Sequence, residues 1–279
     1  MPPLASVIQV MRQAQGRDLS LFDEAFLAKS FDRRLSVTSC NSAAAYLQRL
    51  REDRAEAEDF FRSLNISYSE FFRDPLAFAL LEQVVLPGFV QEKEQAGRSE
   101  LRVWSAGCAA GQEAWSIAIL LEELNAGRER PVPFRIFATD GSDAPLALAR
   151  TGVYDAAEVQ KVRLKHLRKY FTVAGESYQI VPALTDRVDF SAYDLLAEGS
   201  SSPAAGIYGD FDLILCCNLL FYYRPEIRQR ILDKLCRALC PGGHLVTGEA
   251  EREIVAQHEG LRAMAPPAAV FQKRKGNHG

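Results

Sequence analysis

Val103-Trp-Ser-Ala-Gly-Cys-Ala-Ala-Gly-Gln-Glu113 reads as a strand that runs into a glycine turn and out into an apolar helix. Gly107 and Gly111 let the backbone bend sharply and approach a ligand closely, and the helix behind them offers free N–H groups at its start. A tight strand-to-helix turn without any ligand explains the same glycines, so this stretch alone does not decide function. It does set the grammar of its surroundings. Residues 101–104, 134–139, 211–216 and 244–247 are short apolar runs, separated by helical stretches such as 115–124 and 225–239. Strands alternating with helices imply a parallel, doubly wound α/β sheet with its ligand site at the carboxyl ends of the strands.

Outward from this core, residues 171–188 break the rhythm. Tyr178-Gln-Ile-Val181 is strand-like and Gly175 and Pro182 mark turns, which predicts a small β insertion. Toward the N-terminus the pattern becomes all-helical: Leu19, Phe22, Phe26, Leu27 and Leu35 recur at helical spacing, as do Tyr46, Leu47 and Leu50. A further helix is predicted from Asp74-Pro75, carrying Leu76, Leu80 and Leu81 into the core and stopping by Pro87-Gly88. The expected organisation is a helical domain over 1–90, a polar linker over 91–100 and an α/β domain over 101–279, with a frayed tail after Gln272.

The 279 residues are 48% hydrophobic with net charge −3, as expected of a globular chain with an ordinary core. No stretch approaches the ~20 apolar residues of a membrane helix, and residues 1–15 lack the order of a secretory signal. Membrane insertion is not expected, and the cytoplasm is the expected location. The acidic balance argues against a general nucleic-acid binder. Six cysteines form no C-x-x-C pair, two of the four histidines lie near the C-terminus, and Cys236 with Cys240 lack two further ligands nearby, so no metal is expected. Cys236 and Cys240 are spaced to share a helix face.

Three more strand ends carry polar chemistry. Asp140 follows the run 134–139, where an open α/β sheet places a carboxylate able to accept both hydroxyls of a ribose; capping the next helix is its plainer alternative. Asn218 ends the run from Phe211, with Tyr222 close behind it. Leu239-Cys-Pro-Gly-Gly-His-Leu245 reads as a helix end, a turn and a strand, which is more typical of methyltransferases than of nicotinamide dehydrogenases. The G-x-G-x-x-G fingerprint of the latter is absent, since Gly107 and Gly111 are four apart.

Asn65-Ile-Ser-Tyr-Ser-Glu-Phe-Phe-Arg-Asp-Pro75 resembles the N-x-T-x-F-F-R-D-P segment of the CheR-type chemoreceptor methyltransferases, with Ser69 in place of threonine. Trp104-Ser-Ala-Gly-Cys-Ala-Ala-Gly-Gln-Glu-Ala-Trp-Ser116 is similar to that family's W-S-A-x-C-S-x-G-E-E-P-Y-S, and residues 216–223 resemble C-R-N-V-x-I-Y-F. The similarity runs in order from about residue 16 to 251. It implies a class I methyltransferase-like doubly wound sheet with a small β insertion, preceded by an all-helical N-terminal domain. The implied cofactor is S-adenosylmethionine, leaving S-adenosylhomocysteine, and the implied reaction is methyl esterification of glutamates on the cytoplasmic domain of methyl-accepting chemotaxis receptors. The chain is expected to act as a monomer.

Carried over by position, the resemblance implies that Arg73 and Ser69 reach the methyl-transfer end of the cofactor. Gly107 would form the cofactor turn, Glu113 would contact the methionine portion, Asp140 the ribose and Asp194 the adenine, with Asn218 and Leu219 completing the pocket. Arg73 and Tyr222 are expected to orient the incoming carboxylate. For Arg73 the plainer reading is a surface salt bridge with Asp74 or Glu70, which stabilises little. Gln112, Cys217 and Glu249 depart from the family pattern, which keeps a non-catalytic cofactor-binding signalling module as the alternative. Small-molecule or RNA methylation is discouraged by the acidic composition and the F-F-R-D-P segment. Lys29, Arg33 and Arg34, at i, i+4 and i+5, are expected on one helix side, either as a solvated face or to meet an acidic receptor surface. The β insertion is too short for the longer glycine-containing loop associated with members that grip a receptor's C-terminal peptide.

Overall fold

The computed structural model describes residues 4–64, 68–95, 97, 100–197, 199–200, 202–203, 206 and 209–274. It divides into two compact units, Met1–Ile66 with Leu220–Gln229, and Ser67–Leu219 with Arg230–Gly279.

The first unit holds α1 (Leu4–Gln15), α2 (Glu24–Val37), α3 (Ala43–Glu52) and α4 (Arg54–Leu64). Capping side chains start two of them: Asp23 accepts the Ala25 and Phe26 N–H groups at 3.0 and 3.2 Å, and Ser42 accepts that of Ala45 at 3.1 Å. Met11, Leu27, Phe31, Tyr46, Leu50 and Phe60 fill the core. Leu19 and Phe22 are buried too, but in the turn before α2 and not on a helix. Within this core Glu56, 4% exposed, accepts the Tyr46 hydroxyl at 2.7 Å and two Arg34 nitrogens at 3.1 and 2.6 Å. Arg34 therefore does not belong to an exposed cationic face with Lys29 and Arg33. Its guanidinium turns inward because a buried carboxylate needs a partner. Arg33 donates to the Ser63 carbonyl, and both Lys29 and Arg33 are exposed.

The second unit opens with α5 (Pro75–Leu80), a π-helical turn (Leu81–Val85) and α6 (Leu86–Gln95). Asp74 caps α5 by accepting the Ala77 N–H at 3.1 Å. Leu81 is buried as expected, whereas Leu76 is 48% exposed. The helix does not stop at Pro87-Gly88. The Leu86 N–H bonds the Leu81 carbonyl in the wider π pattern just where Pro87 has no N–H to offer, so the chain continues helical. The first half of the expected linker is thus helical, to Gln95, continuing the helix that buries Phe89 and Val90 just before it, and Lys93 pairs with Asp212 at 2.9 Å. Residues 67–90 group with the α/β unit.

There follow β1 (Leu101–Ala106), α7 (Gln112–Asn125), β2 (Phe134–Asp140), α8 (Asp143–Thr151), β3 (Val153–Asp155), α9 (Leu164–Tyr170), β4 (Phe171–Ala174), β5 (Ser177–Ile180), α10 (Pro182–Thr185), β6 (Val188–Ala192), β7 (Phe211–Cys216), α11 (Pro225–Ala238), β8 (Leu239–Thr247), α12 (Arg252–Ala256), β9 (Leu261–Ala263) and β10 (Val270–Lys273). The seven-stranded sheet has the order β6-β2-β1-β7-β8-β10-β9. Its first five strands are parallel and β10 and β9 are antiparallel, giving the class I methyltransferase-like doubly wound sheet.

The β insertion is a separate antiparallel sheet, β3-β5-β4. It recruits residues 153–155, while Val188 belongs to the main sheet, so the expected bounds 171–188 shift toward the N-terminus. Cys240 lies in β8 and shares no helix face with Cys236. The tail is ordered through Arg274, whose Nε donates to the Leu261 carbonyl at 3.1 Å, and residues 275–279 lie outside the described residues. Among the described residues no helix is long and apolar enough to cross a membrane.

Candidate active site

Because β1, β2, β6 and β7 are parallel, their carboxyl ends share one edge of the sheet, and Gly107, Asp140, Asp194 and Asn218 all fall at or just beyond those ends. Gly107, at φ 82°, donates its N–H to the Thr139 carbonyl at 2.8 Å. A Cβ there would sit 3.0 Å from Leu219 Cδ1, so Leu219 closes over the turn. Gly111 has a different reason to be glycine: at φ 90° it caps α7, and a Cβ would stand 2.9 Å from that of Ala149. The second glycine serves packing, and the first lies in the candidate site.

Asp140 Oδ2 accepts the Ala109 N–H at 3.0 Å and Oδ1 that of Ser142 at 2.9 Å. It ties β2 to the glycine turn and also serves the start of α8, where Ser142 itself makes no capping bond. Burial raises its pKa above the usual aspartate value, and these backbone donors pull it back. Glu113 stands in the first turn of α7 and accepts the Ser105 hydroxyl at 2.6 Å. Burial raises its pKa as well, opposed by hydrogen bonds from Ser105 and Cys217. The Cys217 thiol is pushed well above its usual value, by burial first and then by the Glu113 charge beside it, so it is a neutral neighbour. Neither Glu113 nor Asp140 is in a salt bridge among the described residues.

Asn218 holds an unusual turn, at φ 59°, because its N–H donates to Glu251 Oε2 at 2.8 Å. Glu251, fully buried, also accepts the Gly248 N–H at 3.0 Å and the Thr247 hydroxyl at 2.8 Å. A Cβ on Gly248 would fall 2.5 Å from Asn218 Nδ2, so that glycine makes room for the amide. Glu251 and Ser105 are contributors not foreseen from the sequence. The carboxylate three residues past Gly248 has capping-box spacing, the one available signal for Glu251.

Arg73 is half-buried, donates to the Tyr68 carbonyl at 3.2 Å and lies over the Tyr68 ring at 5.2 Å. It forms no salt bridge with Asp74 or Glu70; Glu70 is taken by Lys161 and the Tyr68 hydroxyl. Its neighbour Phe72 donates its N–H to Ser116 Oγ at 3.1 Å, which ties this loop to α7, the helix that carries Glu113. Ser69 is in the same loop, whereas Asn65-Ile66-Ser67 lie outside the described residues. Asp194 is exposed and accepts the Leu196 N–H at 2.8 Å. Tyr222 is not grouped with these residues: it belongs to the helical unit, where its ring meets Phe26 at 4.7 Å and its carbonyl accepts the Asp23 N–H at 2.8 Å.

Comparison with known families decides the matter: the family described as CheR methyltransferase, SAM binding domain, matches residues 67–267. The chain belongs to the CheR methyltransferase family. It is 28% identical to a chemotaxis protein methyltransferase of Listeria innocua over 92% of each chain, and 31% identical to chemotaxis protein methyltransferase 1 of Pseudomonas aeruginosa over 75% of each. It is also 31% identical to an uncharacterized 104.1 kDa protein in the hypE 3' region of Rhodobacter capsulatus, over 88% of this chain but 26% of that longer protein. The CheR cofactor is S-adenosylmethionine, with S-adenosylhomocysteine the product. The residues fit it. Two carboxylates without salt bridges suit a ligand bearing a sulfonium and an ammonium, and the Gly107 turn leaves room where a side chain would intrude.

Proposed function

We propose that this CheR-family protein transfers the methyl group of S-adenosylmethionine to glutamate side chains of methyl-accepting chemotaxis receptors in the cytoplasm, forming glutamate methyl esters. The observation that carries this reading is a guanidinium, Arg73, in no salt bridge among the described residues, on the loop whose Phe72 N–H bonds Ser116 of α7, the helix that carries Glu113. Bound S-adenosylmethionine supplies an electrophilic methyl on a positively charged sulfur. A glutamate nucleophile is already ionised at neutral pH, with pKa near ~4.3, so the chain needs no strong base. Its task is to hold the reacting groups in line, which can supply ~7–11 kcal/mol of the barrier. Arg73 orients the incoming carboxylate while Tyr68 holds the guanidinium back from an ion pair that would quench the nucleophile.

For the cofactor, Asp140 takes the ribose hydroxyls, Glu113 the ammonium and Asp194 the adenine side, with Gly107, Ser69, Asn218 and Leu219 lining the rest. The departures are compatible with catalysis. Gln112 donates to Glu158 at 3.1 Å, where a glutamate would face a like charge, and Glu249 is exposed. Cys217 leaves Glu113 without an added cation, which strengthens the demand for a cationic ligand. Receptor docking falls to Lys29 and Arg33 of the helical unit. Such exposed charges are screened over ~8 Å at physiological ionic strength, so docking should be weak and salt-sensitive.

Two outcomes test the cofactor half. Asp140→Ala should weaken both S-adenosylmethionine and S-adenosylhomocysteine by about 1.5–3 kcal/mol in calorimetry, the worth of a hydrogen bond to a charged group; unchanged affinity would remove Asp140 from the ribose. The second is a pH dependence. Burial raises the Glu113 pKa in the free protein, and a bound ammonium favours the carboxylate. At pH below that raised pKa, binding should therefore take up the cofactor with release of a proton, so that affinity falls as the pH drops through it and is level above it until the cofactor's own ammonium titrates near pH ~8. Glu113→Gln should flatten the profile. A wild-type profile just as flat contradicts the assignment. The acceptor half is tested by methyl transfer to a panel of receptor cytoplasmic fragments.

A further inference from the structure

Phe72 is a bulky residue at φ 51°, a strained conformation that persists only where the surroundings enforce it. It immediately precedes Arg73. The enforcing contacts are specific. The Phe72 N–H donates to Ser116 Oγ at 3.1 Å, across 44 positions of chain, and Ser116 Oγ in turn donates to the Gln112 carbonyl at 2.6 Å. Ser116 is fully buried in α7, three residues and so one turn beyond Glu113. The Phe72 ring is wedged between Phe78, 5.2 Å away at 70°, and the buried His166, stacked at 5.9 Å and 29°.

We propose that Ser116 is a positioning residue: its hydroxyl locks the Phe72 turn to α7, fixing the distance between Arg73 and the helix that carries Glu113. The inference rests on the reading of Arg73 as the group that orients the acceptor carboxylate. One hydroxyl spans the two elements on which cofactor and acceptor are separately held, so its loss releases the acceptor side while the cofactor side keeps its own anchors at Ser105, Ala109 and Ser142. A misplacement of about 1 Å at a reacting centre can cost ~100-fold in rate.

The test is a double-mutant cycle on the full chain, reading kcat, the KM for S-adenosylmethionine and the affinity for S-adenosylhomocysteine. Ser116→Ala, a small-to-smaller change in the core, should lower kcat by ~10- to 100-fold and leave cofactor KM and product affinity within about twofold. In the Arg73→Ala background the same substitution should lower kcat by less than about twofold further, because nothing remains to position. A full additional loss in that background, or normal kcat in Ser116→Ala, overturns the proposal. If Arg73→Ala itself turns over normally, the underlying reading of Arg73 fails instead. Loss of product affinity in Ser116→Ala also overturns it, since a general role in packing α7 predicts that result.

Discussion

Arg73→Ala is expected to lower methyl transfer roughly 10²- to 10³-fold, the cost of removing a donor aimed at the reacting oxygen, while cofactor affinity stays nearly unchanged. The side chain contributes little to the fold. It is half-buried, and its one hydrogen bond goes to a carbonyl five residues earlier in its own loop. Among the described residues it is in no salt bridge, and Glu70, the carboxylate that feels its charge in the same loop, is held by Lys161 and the Tyr68 hydroxyl. The fall should appear in kcat and kcat/KM together, as for an interaction realised in the transition state. Arg73→Lys should recover only part of it, since an ammonium lacks the planar fork that matches a carboxylate. Single-turnover kinetics with saturating cofactor give the answer. A variant with near-normal turnover would remove Arg73 from the chemistry.

The second large effect is on stability. Glu56→Ala is expected to destabilise the helical unit by about 3–5 kcal/mol, the usual cost of breaking a buried ion pair from one side. Two partners lose bonds at once. The Tyr46 hydroxyl loses its acceptor, and the Arg34 guanidinium, 18% exposed, loses both bonds to Glu56 and keeps only the longer contact to Asp59 at 3.4 Å. Burial pushes the Tyr46 pKa upward and a guanidinium stays protonated in proteins, so neither group escapes by changing its charge. Tyr46→Phe, which deletes one hydroxyl and leaves the ion pair, should cost only about 0.5–1.5 kcal/mol. Amide hydrogen exchange in α2, α3 and α4 reads this locally. Unchanged protection in Glu56→Ala would mean that the network is incidental.

The glycine turn and the alternation around it were enough to identify the doubly wound sheet, because period and punctuation are local properties of the chain. Gly107, Asp140 and Asn218 could be singled out as candidates for the same reason, since each sits at or just past the end of a readable strand, whereas Glu113 drew its role from the resemblance. What the sequence hid depends on distant partners. Arg34 looks like any solvated arginine until Glu56, 22 positions away, is seen beneath it. The polar residues 91–95 suggested a linker, yet Lys93 there closes a salt bridge to Asp212 and the polar surface belongs to a helix. Glu251 follows an apolar strand and reads as a surface charge. Only the fold shows that it supports the Asn218 turn. The strain at Phe72 was invisible for another reason, since nothing in Phe-Phe-Arg marks a left-handed residue.

The central claim is methyl ester formation on receptor glutamates. The direct measurement is to incubate the full chain with methyl-labelled S-adenosylmethionine and receptor-containing membranes, then to raise the pH and collect volatile methanol. The account predicts label in the receptor band that is released as methanol by alkali, absent with Arg73→Ala and blocked by S-adenosylhomocysteine. Cofactor binding at full strength with no alkali-labile label on any receptor of the panel would contradict it.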